Sequence, residues 1–188
     1  LDGGAAMTDI NSIIRGAGGD AIKSIQQGTA AIPSSAIASF LNIAINSVDA
    51  NYTAVLIDCQ GYDCRGKFAG QIASPTILQL VRNTAYFNNY ISWTVIEFDP
   101  ARVKSFTKGN TGGIGSTGND GGTISLPVPN VDLTKTLALF NAYQWPDAPA
   151  SLNYYRECIN SLSSTAIVLR GGGYYTYSYF YYFFVELL

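Results

Sequence analysis

The chain has 188 residues, of which 47% are hydrophobic and only 13% charged, so it is rich in core-forming side chains. Eleven basic and thirteen acidic residues give a net charge of −2 with no basic cluster, which argues against nucleic-acid binding through phosphate neutralisation. Histidine is absent, which removes the commonest general base and metal ligand.

In chain order, residues 9–27 carry Ile10, Ile13, Ile14, Ala17, Ala21, Ile22 and Ile25 in a helix-like stripe interrupted by Gly16, Gly18 and Gly19. This predicts a short helix or arm with a flexible joint, packed on its own body or docking the chain to an assembly. Bilayer insertion is disfavoured because the stripe lacks a Lys/Arg-rich polar face. A membrane span is not expected either: the apolar stretch 30–48 is broken by Pro33, Ser34, Ser35, Asn42 and Asn46. No secretory signal is recognisable.

From residue 28 the pattern changes to short alternating runs. Strands are expected near 39–47, 53–58, 68–73, 76–82 and 90–98, with turns at 49–51 and 84–89. Asp99-Pro100 should end the last of these and open a linker. Residues 109–122 hold seven glycines with Asn, Ser and Thr and read as a loop. The G-x-G-x-x-G spacing at 113–118 is no dinucleotide motif, since a Gly/Asn-rich stretch leads into a strand where a helix would be needed. Further strands are expected near 122–127, 136–140, 153–159, 165–170 and 174–187, with Pro127 and Pro129 at an edge or bend. Residues 144–149 read as a rigid surface loop presenting Trp145.

The last strand sets the architecture. Tyr175, Tyr177, Tyr179, Tyr181, Phe183, Val185 and Leu187 alternate onto one face, and so aromatic a face must be covered by other strands or another subunit. The run Val95-Ile96-Glu97-Phe98 echoes Phe184-Val185-Glu186-Leu187, and three more echoes occur in the same order. Residues 22–28 answer 103–109, 47–57 answer 130–140, and 76–82 answer 165–170. Two copies of one unit of about 80 residues follow. The expected fold is therefore mainly β, with two similar small antiparallel β-sandwich or barrel domains in tandem after the N-terminal arm. The divisions are residues 1–27, 28–99 and 100–188.

Candidate chemistry is sparse. Glu97 and Glu186 are repeat equivalents, so each should hold the same structural place in its own unit instead of forming a catalytic pair, and Asp49 and Asp132 read as turn formers. A cysteine nucleophile would lack its histidine partner. Cys59, Cys64 and Cys158 are too few for a zinc site without histidine. Cys59 and Cys64 could close a small disulfide loop or be reduced, the odd count favouring thiols. The Asn51-Tyr52-Thr53 sequon reads as accidental. No catalytic residue, cofactor or metal is expected. The aromatic residues suit core packing first, then binding: Tyr143, Trp145, Tyr154 and Tyr155 are the side chains a glycan or receptor would meet.

The run Gln26-Gln27-Gly28, Ile45-Asn46-Ser47-Val48-Asp49, residues 53–57 and 76–82, closed by Trp93-Thr94-Val95-Ile96-Glu97-Phe98, resembles small β-rich virion proteins of tailed bacteriophages. The resemblance covers residues 22–188 through short apolar motifs. It implies a non-enzymatic tail, fibre or decoration subunit in the virion, self-associating and packed on other virion proteins. The assembly surfaces expected are Ile10, Ile13 and Ile14 in the arm and Tyr175, Tyr177, Tyr179, Tyr181 and Phe183 in the last strand. The alternatives are a tail-tip protein that binds a host-surface glycan or receptor, and a small membrane-active protein.

Overall fold

The computed structural model describes residues 21–32, 40–60, 68–82, 89–112, 114–115, 122–145, 158–171 and 177–188. Mainly β, as expected, these residues form thirteen strands in four small antiparallel sheets. The first half contributes β1 (Ile22–Ile32), β2 (Phe40–Ala44), β3 (Thr53–Gln60), β4 (Phe68–Ser74), β5 (Ile77–Arg82) and β6 (Asn89–Phe98). The second contributes β7 (Val103–Asn110), β8 (Ile114–Gly115), β9 (Thr123–Pro127), β10 (Thr136–Trp145), β11 (Cys158–Leu162), β12 (Ala166–Arg170) and β13 (Tyr177–Leu187).

The sheet orders are β1-β6-β3 and β2-β5-β4 in the first half, β7-β13-β10 and β9-β12-β11 in the second, with β8 added beside β13. With β8 set aside, the two halves have one topology written twice. Short 3-10 turns recur ahead of β3 and β10, at Ala50–Tyr52 and Leu133–Lys135. Each is capped by an aspartate, Asp49 accepting from Asn51 N–H and Asp132 from Thr134 N–H, both at 2.9 Å. A third such turn, Pro100–Arg102, is capped by Asp99 and joins the halves.

Within each half the two sheets face one another through their apolar positions. Val55, Ile91, Trp93 and Val95 of the longer first-half sheet pack with Leu78 and Leu80 of the shorter one. In the second half, Phe180 and Phe184 pack on Ile167 and Leu169. Each fully buried Phe or Leu of this kind contributes about 1.5–3 kcal/mol.

The structure departs from the sequence reading at several points, among them β7, which was not expected as a strand, β8 inside the expected 109–122 loop, and β11, which runs on to Leu162. Ile22 to Gln27 lie in β1, not in a helix. Ile22 and Ile25 fall three apart, but β6 supplies a ladder for the segment, pairing Ile22 with Phe98 and Ile25 with Ile96. Trp145 ends β10 and pairs with Tyr177 instead of sitting in a surface loop. The Gly-rich stretch starts later than residue 109, because β7 continues to Asn110 opposite Tyr181. Residues 9–20, 84–88 and 153–157, which carry further expectations, lie outside the described residues.

Candidate functional site

Among the described residues the buried carboxylates are Glu97 and Glu186, the groups there most able to do acid–base chemistry. Glu97 Oε1 accepts from Lys23 Nζ at 2.8 Å and from the backbone N–H of Asp49 at 2.9 Å, and Oε2 accepts from Ser24 Oγ at 2.9 Å. Glu186 repeats this set with Lys104 at 2.8 Å, Asp132 N–H at 2.9 Å and Ser105 at 3.3 Å. Burial by itself would raise the pKa of Glu97, but the Lys23 ammonium, the Asp49 N–H and the Ser24 hydroxyl outweigh it and hold the carboxyl below the usual range. Glu186 is lowered in the same way, burial being opposed by Asp132 N–H, Lys104 and Ser105. Each glutamate ties the first strand of its unit to the turn before the third. Charges so fully coordinated hold the sandwich together, and neither of these two glutamates is left as a free base.

A seam between the halves is the second feature. One face of β13, with Phe180 and Phe184, looks into its own sandwich; the other, with Phe183, Val185 and Leu187, packs with first-half residues in one continuous cluster. Leu137 and Leu139 of β10 join the same cluster. They cover the side of the first sandwich where β3 and β4, edge strands of its two sheets, present unpaired backbone groups. Asn141 completes the cover. Its Oδ1 accepts from Gly70 N–H at 2.9 Å, while Nδ2 donates to Val55 O at 2.8 Å and Gly70 O at 3.2 Å.

The equivalent face of β6 carries different residues. Register places Ser92 and Thr94 where β13 has Tyr181 and Phe183, and places Asp58 of β3 where β10 has Asn141. This explains why the second copy is so aromatic: its outer face is a buried interface, whereas Ser92 and Thr94 are half-buried and Tyr90 is 64% exposed.

Of the residues expected at an assembly surface, Phe183 is only 5% exposed and is covered by the chain itself, while Tyr179 and Tyr181 are half-buried. Tyr177 pairs with Trp145 and Gly115 along the backbone, and Tyr143 with Tyr179. Ile10, Ile13, Ile14, Tyr154, Tyr155, Tyr175 and Cys64 lie outside the described residues, whereas Cys59 and Cys158 sit in β3 and β11.

Two cavities open along the seam. One of about 400 Å³ is lined by Asn51, Tyr52 and the length of β7 from Val103 to Lys108. The other, about 200 Å³, is lined by Thr53, Gln71 and Ile72 from the first half and by Gly109, Asn110, Tyr181 and Phe183 from the second. Lys108 borders both, and its ammonium donates to the carbonyl of Ala50. Sequence reasoning missed this place altogether, because it exists only where the two copies meet.

Among the described residues no group of three or more His, Cys, Asp or Glu is placed to hold a metal ion, and no helix is long and apolar enough to cross a membrane. No protein-family model, curated protein or solved structure matches the chain.

Proposed function

We propose that this chain is a non-enzymatic structural subunit of a tailed-phage virion, a tail, fibre or decoration component that self-associates and packs on other virion proteins. The observation that carries the reading is the use made of its strongest groups. Both buried glutamates serve as strand-to-turn anchors, and the most aromatic strand joins two copies of one sandwich through a continuous apolar seam. Such a body is built to hold its shape and offer surfaces. Low charge supports the same reading, since it limits the desolvation cost of packing many copies together. The phage setting rests on the resemblance of the β1, β3, β5 and β6 segments to virion proteins.

Two measurements test this. Light scattering on the purified protein should give a particle mass that is a multiple of the 20.2 kDa chain. Mass spectrometry of purified phage particles from the source culture should find the chain at fixed stoichiometry with the major virion proteins. A monomer at micromolar concentration, together with absence from the particles, would end the proposal.

A further inference from the structure

The two seam cavities share Lys108 in their walls, and each is lined by residues of both halves, a seam groove that neither copy of the repeat makes alone. Its chemistry is uneven in an informative way. Among the described residues no carboxylate lines either part, whereas Lys104 lines the larger and Lys108 lines both. Lys104 is neutralised by Glu186 at 2.8 Å. Lys108, exposed, meets only the Ala50 carbonyl among the described residues, so no described carboxylate compensates its charge.

Around that charge stand neutral polar groups and aromatic surface. The amide side chains of Asn51 and Asn110 are exposed and engage no described residue. Gln71 spends its amide nitrogen on Gln79 at 2.9 Å and keeps its oxygen as an acceptor. Tyr181, half-buried in the smaller part beside Phe183, offers a ring wall, and its phenol makes no hydrogen bond to a described residue. Burial raises the pKa of that phenol, so it stays a neutral donor across the ordinary pH range.

Amides and hydroxyls spread along a groove match a ligand with many hydroxyls, and aromatic faces match the C–H faces of sugar rings. A single lysine supplies one positive charge, which matches one carboxylate and falls short of a cluster of phosphates. We propose that the seam groove binds a short acidic oligosaccharide, with its carboxylate on Lys108 and a ring against Tyr181. The proposal stands apart from the virion reading, since a groove of this kind would serve host-surface attachment or any other encounter with acidic glycans.

Calorimetric titration of the intact protein tests it, with sialyllactose and trigalacturonate as acidic probes, lactose and maltotriose as neutral ones, and sodium acetate as a bare carboxylate. Saturable binding of at least one acidic probe is expected, with Kd about 1 mM or tighter and neutral sugars about tenfold weaker or worse. Lys108→Met, at an exposed position, should keep the thermal midpoint and lose affinity about tenfold; Lys108→Arg should restore most of it. Asn110→Ala should weaken binding severalfold. The proposal is overturned if neither acidic probe binds, if Lys108→Met binds as tightly as the parent, or if lactose or acetate competes equally well. None of these outcomes bears on the particle mass or on presence in phage particles.

Discussion

Asn141 and Gly70 exchange hydrogen bonds in both directions across the seam, the Asn141 amide oxygen taking the Gly70 N–H at 2.9 Å and its amide nitrogen reaching the Gly70 carbonyl at 3.2 Å. The same nitrogen donates to Val55 O at 2.8 Å, so one side chain serves two edge strands that have no strand neighbour there. Asn141 is itself 4% exposed. Asn141→Leu keeps the volume and strands three backbone groups away from water. A loss of about 2–4 kcal/mol is expected, read as a lower urea midpoint with an unchanged slope. A cost under about 0.5 kcal/mol would mean that water satisfies the edge.

The aromatic outer face of β13 makes a paired prediction with its counterpart. Phe183→Ala should cost about 3–5 kcal/mol, because the ring is buried between the two sandwiches. Thr94→Ala, at the equivalent place on β6, should cost less than about 1 kcal/mol. Equal losses in urea unfolding would contradict the asymmetry of the two faces.

Stability should fall in acid through the two glutamates. Both carboxyls titrate below their usual range when folded, so the folded state binds fewer protons than the unfolded chain just below the ordinary glutamate pKa. Their contribution is present above that ordinary value, near 4.5, and is lost as pH falls through the depressed folded values. Lys23 acts at the other end. Its pKa is raised by the hydrogen bond to Glu97 and then by that carboxylate's charge, so its share is complete below 10.5 and lost as pH rises through the folded value. Glu97→Gln should cost about 1–3 kcal/mol at neutral pH. In the double variant with Glu186→Gln, the acid slope of the urea midpoint should flatten; an unaltered slope would assign it to other carboxylates.

Glycines 28 and 109 occupy one position in the repeat but differ in what lies over them. A Cβ at residue 28 would stand 2.4 Å from Trp93 Cζ2, in the body of the indole, whereas at residue 109 it would stand 2.6 Å from the Tyr182 hydroxyl. An indole packed inside the sandwich can scarcely move; a phenol tip can swing aside. Gly28→Ala should therefore cost about 2–3 kcal/mol and shift the Trp93 emission, while Gly109→Ala should cost about 1 kcal/mol or less. Circular dichroism and fluorescence on the two variants decide the order.

The duplication was legible because its anchors, though more than seventy residues apart, recur as short motifs in the same order. Lys-Ser four residues before Gly28 and again before Gly109, each later answered by an aliphatic-Glu pair, marks strands whose ends must meet a charge. Alternation located β5 and β6, where Leu78 and Leu80 or Ile91, Trp93 and Val95 are buried on one face, while β3 and β4, buried on both faces at their starts, were found from short apolar runs between turns. Reading residues 22–27 as helix failed for a physical reason: Ile22 and Ile25 fit a turn of helix as well as a strand, and only pairing with β6 decides. The seam was not legible, since it depends on which copy's outer face is covered. One trace of it lay in plain view, namely Asn141 following Leu137 and Leu139 on a face otherwise apolar. Its counterpart Asp58, exposed, shows that the polar residue is ordinary in one copy and buried in the other.

β13 lies at the centre of its sheet, between β10 and β7, and both its faces are occupied, yet the ribosome makes it after the other described strands. During synthesis the β3–β4 edge of the first sandwich must therefore wait, bare and adhesive, until the second is complete. Cells that make this protein quickly should see misassembly between neighbouring nascent chains, and slower translation across residues 136–187 should raise the yield of native material.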